Sequence, residues 1–307
     1  MIGLESFRRA ILPGMVALAL FGSPALPQES YKSPEDAAAA LAAAVKSGPK
    51  DILKVLGRAA EDIVSSGDEV ADNDIRARFS SMYDVKHGIK AEGNKTATLL
   101  LGPDDFPFPF PIPLVNTKTG WAFDTDEGRI EVLRRRIGRN ELDAIQTALA
   151  YVDAQNEYAD KDRGEGAGVF AQRIVSSPGK KDGLFWRDDS DPSPLGALAA
   201  EASKEGYRAG DVGPVPYHGY YFHILKGQGR DAPGGALNYV VKGKMIGGFG
   251  LIAWPAEYGN SGVMTFLVNH AGTVYQKDLG KRTETIAERT ALFDPDETWK
   301  KVDAAKP

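Results

Sequence analysis

The segment from Phe106 to Pro113 alternates an apolar residue with proline at every step, reading Phe-Pro-Phe-Pro-Phe-Pro-Ile-Pro. Proline has no backbone N–H, and in an extended strand alternate N–H groups point to the same side. Such a strand donates hydrogen bonds to one neighbour only, so it must lie at the edge of a sheet. Its apolar residues then share one face, and we expect that face to meet the core of the first domain. A polyproline II helix is the alternative, and its three-residue period would spread the phenylalanines around the axis.

The first 25 residues have the three zones of a secretory signal peptide. Arg8 and Arg9 form a short basic region, residues 10–21 are largely apolar, and the small residues Ser23 and Ala25 follow. We expect cleavage after Ala25 and a periplasmic or secreted mature protein. A retained membrane anchor is the alternative, although the apolar run is shorter than the roughly 20 residues that a spanning helix needs. No later segment is long and apolar enough to span a membrane, so no transmembrane segment is expected after cleavage.

Composition excludes several classes of function. Removing the signal leaves 282 of the 307 residues, which is enough for two domains. The net charge is −5, and −6 without the first 25 residues, so an acidic surface argues against nucleic acid as a partner. The chain has no cysteine, which excludes disulfides, thiolate metal sites and cysteine nucleophiles together. The sequence motifs of helical zinc sites, phosphate-binding loops and serine hydrolases are absent, and no cofactor is expected.

The order of helical and strand patterns predicts an α+β fold with two domains, residues 26–138 and 139–307. Residues 33–88 have helical periodicity and begin with the cap signal Ser33-Pro34-Glu35-Asp36, and residues 96–123 are β-prone. A long helical region spans about 130–159. We expect it to break near Gly138 and to restart at Asn140, with an apolar stripe after the break formed by Leu142, Ile145, Leu149 and Val152.

The last hundred residues predict an antiparallel sheet, with a closing helix at 283–293. The expected strands are residues 220–225, 237–241, 247–254, 263–269 and 273–277. The second domain is therefore expected to be a helix from about Asn140 packed on this sheet.

Several segments carry a family resemblance. They read Pro-Tyr-His-Gly-Tyr-Tyr-Phe at 216–222, Trp-Pro-Ala-Glu-Tyr-Gly at 254–259 and Val-Tyr-Gln-Lys-Asp-Leu-Gly at 274–280, with Ile-Gly-Arg-Asn-Glu-Leu at 137–142. Together they resemble an exported bacterial family known as domain of unknown function 2950, over nearly the whole mature chain. Because that family is uncharacterised, the resemblance implies no activity.

Two looser resemblances concern the halves of the chain. The part from Asn140 onward is similar to the soluble domain of pilin-like proteins, in which a helix packs on an antiparallel sheet. No apolar polymerising helix precedes Asn140, so pilus assembly is not implied. The first half looks like a cystatin-like or nuclear-transport-factor-like α+β roll. Fold analogy carries no function in either case.

Aromatic, histidine and acidic residues gather in two segments of the second domain. The candidate ligand or structural cluster is formed by Tyr217, His218, Tyr220, His223, Trp254, Glu257 and Tyr258. A histidine near a carboxylate and tyrosines can do acid–base chemistry, but the same residues can fasten a loop, and no nucleophile motif accompanies them, so no catalytic residue is assigned. We expect the two segments to converge, with His218 hydrogen-bonded to Glu257 or Tyr258.

Residues 160–166 resemble a calcium loop, because Asp160 and Asp162 alternate as oxygen ligands. Gly164 stands where a third acid belongs, and no glutamate occupies the twelfth position, so a solvated turn is favoured over a metal site.

The sequence predicts an exported, non-catalytic protein that binds an envelope protein or a small ligand, with a role in envelope or surface assembly. An envelope hydrolase using the His218/Glu257 region is the alternative, and a calcium-stabilised module is a third possibility.

Overall fold

The computed structural model describes residues 28–188, 190–207 and 215–302. The predicted signal peptide lies outside these residues. The first half contains α1 (Pro34–Ser47), α2 (Pro49–Leu56), a 3-10 turn (Arg58–Ala60), α3 (Glu61–Val64), α4 (Glu69–Val85), β1 (His87–Glu92), β2 (Thr96–Leu101), β3 (Phe108–Pro109), β4 (Leu114–Thr117) and β5 (Gly120–Phe123). The second half contains α5 (Thr125–Ala159), α6 (Gly196–Glu205), β6 (Tyr220–Leu225), β7 (Gly227–Gln228), β8 (Leu237–Asn238), β9 (Val240–Val241), β10 (Lys244–Met245), β11 (Gly250–Pro255), β12 (Met264–Asn269), β13 (Tyr275–Asp278), a 3-10 turn (Gly280–Arg282), α7 (Thr283–Arg289) and β14 (Lys300–Lys301). The α+β class predicted from the sequence is confirmed.

Helix starts in the first half follow local capping rules. Ser33 caps α1 by accepting a hydrogen bond from the Asp36 N–H at 3.1 Å, and proline occupies the first helical position. Asp68 caps α4 by accepting from the Ala71 N–H at 3.1 Å. The predicted helices are therefore present, although the last of them ends at Val85 and β1 begins at His87, short of the predicted end at residue 88. The loop between α3 and α4 presents Asp68 at the start of a helix.

The first sheet is antiparallel in the order β1-β2-β4-β5, with β3 paired to the far end of β2. Alternate residues of β2 point to the helices, so Leu99 and Leu101 are buried. The helices α1 and α2 cover this face and supply Leu41 and Ile52 to the core. One layer of helices on one antiparallel sheet forms the first half.

The Phe/Pro segment is an edge element, although only Phe108 and Pro109 form a strand. They pair with β2 alone, as the missing N–H groups require. Phe110 and Ile112 pack into the core, but Phe106 is 86% exposed and Phe108 is 41% exposed. The prediction that all four apolar side chains face the core is wrong for the first two, because the paired segment is too short to keep one register.

The helix α5 is continuous from Thr125 to Ala159, so the predicted break near Gly138 and the predicted cap at Asn140 are wrong. Asn140 is buried in the middle of the helix, where its side chain donates to the Ser261 carbonyl oxygen at 2.9 Å. The predicted apolar stripe is buried at Ile145 and Val152, but its first residue, Leu142, is exposed. Tertiary partners override the local cap signal here.

The second half is built around an antiparallel sheet in the order β14-β13-β12-β11-β6. Strand β11, which lies between β12 and the edge strand β6, is buried on both faces. Leu251 and Ala253 belong to the core on the α5 side, whereas Ile252 and Trp254 belong to the core that contains Ala287 of α7. A helix packed on an antiparallel sheet is therefore present, with α7 added on the opposite face.

The predicted strand at residues 237–241 lies outside this sheet, because β8 pairs with β7 and β9 pairs with β10.

The α5 helix joins the two halves: Val132 packs on the first core, and residues from Ala144 onward belong to the second. The domain division near residue 138 stays a prediction.

Candidate functional site

The two halves meet through polar side chains at the middle of α5. The buried guanidinium of Arg136 donates to the carbonyl oxygens of Asp62 at 2.8 Å and Ile63 at 2.5 Å, and also to the Asn260 amide oxygen. Asn260 belongs to the loop after β11, and its amide nitrogen donates to the Ser65 carbonyl oxygen at 3.0 Å. Arg136 and Asn260 therefore tie α3, α5 and this loop together.

Burial lowers the pKa of the Arg136 guanidinium, while the nearby carboxylates of Asp72, Asp62 and Glu257 act in the opposite direction. Asp72 is buried as well and accepts from the Ser66 N–H at 2.9 Å and the Ser66 hydroxyl at 2.7 Å. Burial raises the pKa of Asp72, against the hydrogen bonds from Ser66 and the charge of Arg136. This arrangement holds the turn before α4 in a fixed shape.

Asp68 connects the same turn to the second half. Besides capping α4, its carboxylate accepts from the Gly219 N–H at 2.9 Å and from the Tyr207 hydroxyl at 2.8 Å. Gly219 has φ of +75°, and a Cβ there would stand 2.6 Å from the Asn140 amide nitrogen. Only glycine fits this close approach between the start of β6 and α5.

The imidazole of His218 lies between two carboxylates. Its Nδ1 is 3.2 Å from Asp143 of α5, and its Nε2 is 3.0 Å from Glu205 at the end of α6. The rings of Tyr217 and Tyr207 pack beside it, with centroids 4.2 and 5.8 Å away. Burial lowers the pKa of His218, but the two carboxylates outweigh it, and the net result is a raised pKa.

The predicted hydrogen bond from His218 to Glu257 or Tyr258 is wrong, because both ring nitrogens have other partners. The two segments do converge: the Ala256 N–H donates to the Gly219 carbonyl oxygen at 2.9 Å. Convergence of the backbones does not bring the side chains together, because His218 has a positive φ of 48° that directs its ring toward α5 and α6.

The other predicted residues fall into separate surroundings. Tyr220 is buried and donates to the Met264 carbonyl oxygen at 2.9 Å, and Trp254 lies in the core beside Tyr221. His223 is an exposed residue of β6, and the Tyr258 hydroxyl donates to Asp278 at 3.2 Å. The seven residues of the predicted cluster are thus not one site.

The candidate calcium loop is a turn in which Asp162 is hydrogen-bonded to the backbone of the same loop. Asp162 accepts from the N–H groups of Gly164 and Gly166, each at 2.8 Å, and these bonds lower its pKa. Asp160 follows the last residue of α5 as its C-cap. Among residues 28–188, 190–207 and 215–302, no group of three or more His, Cys, Asp or Glu side chains is arranged to hold a metal ion.

Glu257 lies where two open grooves meet. One groove, of about 520 Å³, is lined by residues 255–259, Lys281 and Glu284. The other, of about 720 Å³, lies on the first-half side and is lined by Arg58, Ala59, Glu61, Asp62, Ser65, Asp126, Arg129 and Glu257. Five carboxylates and three basic side chains line the two grooves together.

Hydrogen bonds hold both the side chain and the backbone of Glu257. The carboxylate oxygen Oε2 accepts from the Asn260 amide at 2.8 Å, and the backbone N–H of Glu257 donates to the Ser261 hydroxyl at 2.9 Å. The carboxylate also closely approaches Gly67, because a Cβ at that glycine would stand 2.9 Å from Oε1. The loop after β11 therefore presents Glu257 in a defined position on the junction.

The polar residues of α5 are the feature that sequence reasoning missed. Arg136, Asn140 and Asp143 are spaced i, i+4, i+7 and share one helix face. Each contacts a residue next to the second sheet, namely Asn260, Ser261 and His218 respectively. A polar stripe at helical spacing inside a long helix was the available signal for this junction.

The resemblance of this chain to domain of unknown function 2950 is confirmed. The family model described as protein of unknown function (DUF2950) matches residues 28–302. The chain belongs to this family. No curated protein and no solved structure matches this DUF2950 chain, and the pilin-like resemblance is not confirmed. None of the described helices is sufficiently long and apolar to cross a membrane.

Proposed function

We propose that this protein is exported and acts as a non-catalytic binding protein of the cell envelope, with the two grooves around Glu257 as its binding surface. The observation that carries the proposal is the junction of two open grooves at one fixed carboxylate between the halves. Ligand sites occur preferentially where domains meet. The open form of the grooves suits a segment of another macromolecule.

Export is supported by the basic, apolar and small-residue zones at the start of the chain. Gln28, three residues after the expected cleavage site, is held in the fold, because its amide nitrogen donates to the carbonyl oxygens of Val55 at 3.2 Å and Phe123 at 2.7 Å. Cleavage after Ala25 would leave only two residues before this anchor. Mass spectrometry of the protein from the envelope fraction should give an N-terminus near Leu26, whereas an intact Met1 would contradict export with cleavage.

The charges of the grooves indicate the chemistry of the ligand. Carboxylates outnumber basic side chains, so a polar segment with positive charge is favoured over an acidic one. Asp62 is already paired with Arg129, and among the described residues no ion pair involves the remaining groove charges. These are four carboxylates against two basic side chains: Glu61, Asp126, Glu257 and Glu284 against Arg58 and Lys281. A lysine- or arginine-bearing stretch of an envelope protein fits this surface best.

The His218 cluster supports a binding protein rather than a hydrolase. A general base needs one ring nitrogen oriented by a carboxylate and the other directed at a nucleophile or a water. Here Asp143 and Glu205 occupy both nitrogens, and the tyrosines pack beside the ring. This geometry fastens elements together and leaves no ring nitrogen for acid–base work.

Fluorescence anisotropy with two labelled peptides of equal length, one rich in lysine and one rich in glutamate, tests the surface. We expect saturable binding of the lysine peptide only, weakened by salt because exposed charges are screened. Glu257→Gln, which keeps an oxygen for Asn260, should weaken binding about two- to fivefold, the size of one exposed charge pair.

The matched control is Glu297→Gln, which removes the same charge from an exposed residue that lines neither groove. Its affinity for the lysine peptide should equal that of the unaltered protein. Equal binding of both peptides, or equal effects of the two substitutions, would refute the assignment of the grooves.

A further inference from the structure

His218 stands where three parts of the chain meet. It follows directly on Tyr217 at the entry to β6, and its ring contacts α5 through Asp143 and the end of α6 through Glu205. The backbone N–H of His218 donates to the Tyr207 hydroxyl at 3.2 Å, and that hydroxyl donates to Asp68 of the first half. The ring, α6 and the junction between the halves are therefore directly connected.

The surroundings of the ring favour a proton on each nitrogen. An ionised carboxylate oxygen only accepts hydrogen bonds; Nε2 is hydrogen-bonded to Glu205 and Nδ1 lies 3.2 Å from Asp143, so a proton on each nitrogen suits both partners. The neutral imidazole has a single N–H, and its second nitrogen would point a lone pair at a carboxylate. Only the imidazolium form satisfies both partners and compensates their negative charge.

Among the residues that the structure describes, α6 has few buried contacts. None of its residues is buried, and Leu198 is its partly buried contact with the core of the second half. At its C-terminal end the contacts are the Glu205–His218 pair and the Tyr207–Asp68 hydrogen bond. Few buried contacts mark a segment that opens locally at low free-energy cost.

We propose that His218 is a proton-dependent clasp, which holds the end of α6 against α5 while it is charged and releases that end when it loses its proton. Release separates Glu205 from the ring and weakens the Tyr207 contact with Asp68. The clasp thereby couples external pH to the polar junction between the halves.

Proton linkage sets the direction of the effect. The pKa of His218 is raised in the closed form, against burial, by Asp143 and Glu205. The clasp therefore contributes its full stability below the ordinary histidine pKa of about 6.5, and this contribution is lost as the pH rises through the raised value. The charged groups around the clasp are Asp143 of α5, Glu205 and Glu201 of α6, and Asp68, together with the phenols of Tyr207 and Tyr217.

Two measurements on the mature protein test the clasp. The first is ¹⁵N NMR of protein labelled at its four histidines. At a pH near 6.5 we expect His218 to show both ring nitrogens protonated, and Glu205→Gln should move the midpoint of its titration to lower pH. A midpoint that is lower by about one pH unit corresponds to a roughly tenfold loss in the preference of the closed form for the charged ring.

The second measurement is hydrogen exchange of the α6 amides between pH 6 and pH 9, corrected for the intrinsic pH dependence of exchange. Protection should fall as His218 deprotonates, and this fall should disappear in His218→Gln. His87→Gln, a change at an exposed histidine of β1, is the control and should keep it.

The proposal is overturned if either ring nitrogen of His218 lacks its proton at pH 6.5. It is also overturned if the protection of α6 does not change with pH, or changes equally in both histidine variants. Glu205→Gln removes one partner without altering the backbone, so the test stands even if His218→Gln fails to fold.

Discussion

Replacing Arg136 with alanine should destabilise the protein by about 3–5 kcal/mol, because three acceptors at the junction lose their charged hydrogen-bond donor. The guanidinium donates to the carbonyl oxygens of Asp62 and Ile63 and to the Asn260 amide. Alanine would leave these three acceptors without their donor, at about 1–3 kcal/mol each. Water that enters the vacated space can donate to some of these acceptors. The expected loss of stability is therefore smaller than the full sum over the three acceptors.

The assay is urea unfolding followed by far-ultraviolet circular dichroism, with the free energy extrapolated to water. Arg139→Ala is the matched control, because Arg139 lies three residues further along the same helix and is exposed. That change should alter the free energy of unfolding by no more than about 0.5 kcal/mol. A loss below about 1 kcal/mol for Arg136→Ala, or equal losses for the two variants, would refute the reasoning.

Two further pairs of substitutions test the packing by the same assay. Gly128→Ala should cost about 1–3 kcal/mol, because its Cβ would stand 2.5 Å from the Ile112 Cα, whereas Gly138→Ala on the same helix has open space and should gain about 0.5–1 kcal/mol. Phe106→Ser should change stability by less than about 0.5 kcal/mol, whereas Phe110→Ala, which empties part of the core, should cost up to about 3 kcal/mol. The opposite order within either pair would contradict the packing described.

Local sequence signals predicted much of the fold. Ser33-Pro34 marks the start of α1 because capping depends on residues three positions apart, and strands β6, β11 and β12 follow from β-prone runs between glycine-containing turns. The same local rules misplaced a helix start at Asn140, since nothing near it in sequence reveals a partner 121 residues away.

The candidate site was harder to predict, because its partners are distant in the chain. His218 was correctly placed at the entry to a strand, but Asp143 lies on a helix 75 residues earlier, and only the packing of α5 brings it to the ring. The positive φ at His218 also removed it from the strand alternation, so that the side-chain direction expected from β6 no longer applied.

The polar stripe of α5 connects the binding surface with the clasp. Arg136 holds the Asn260 loop that positions Glu257, Asn140 holds Ser261 of the same loop, and Asp143 holds His218. His218 and the loop that carries Glu257 both contact this one continuous helix, at adjacent turns. The clasp and the binding surface are therefore linked through α5.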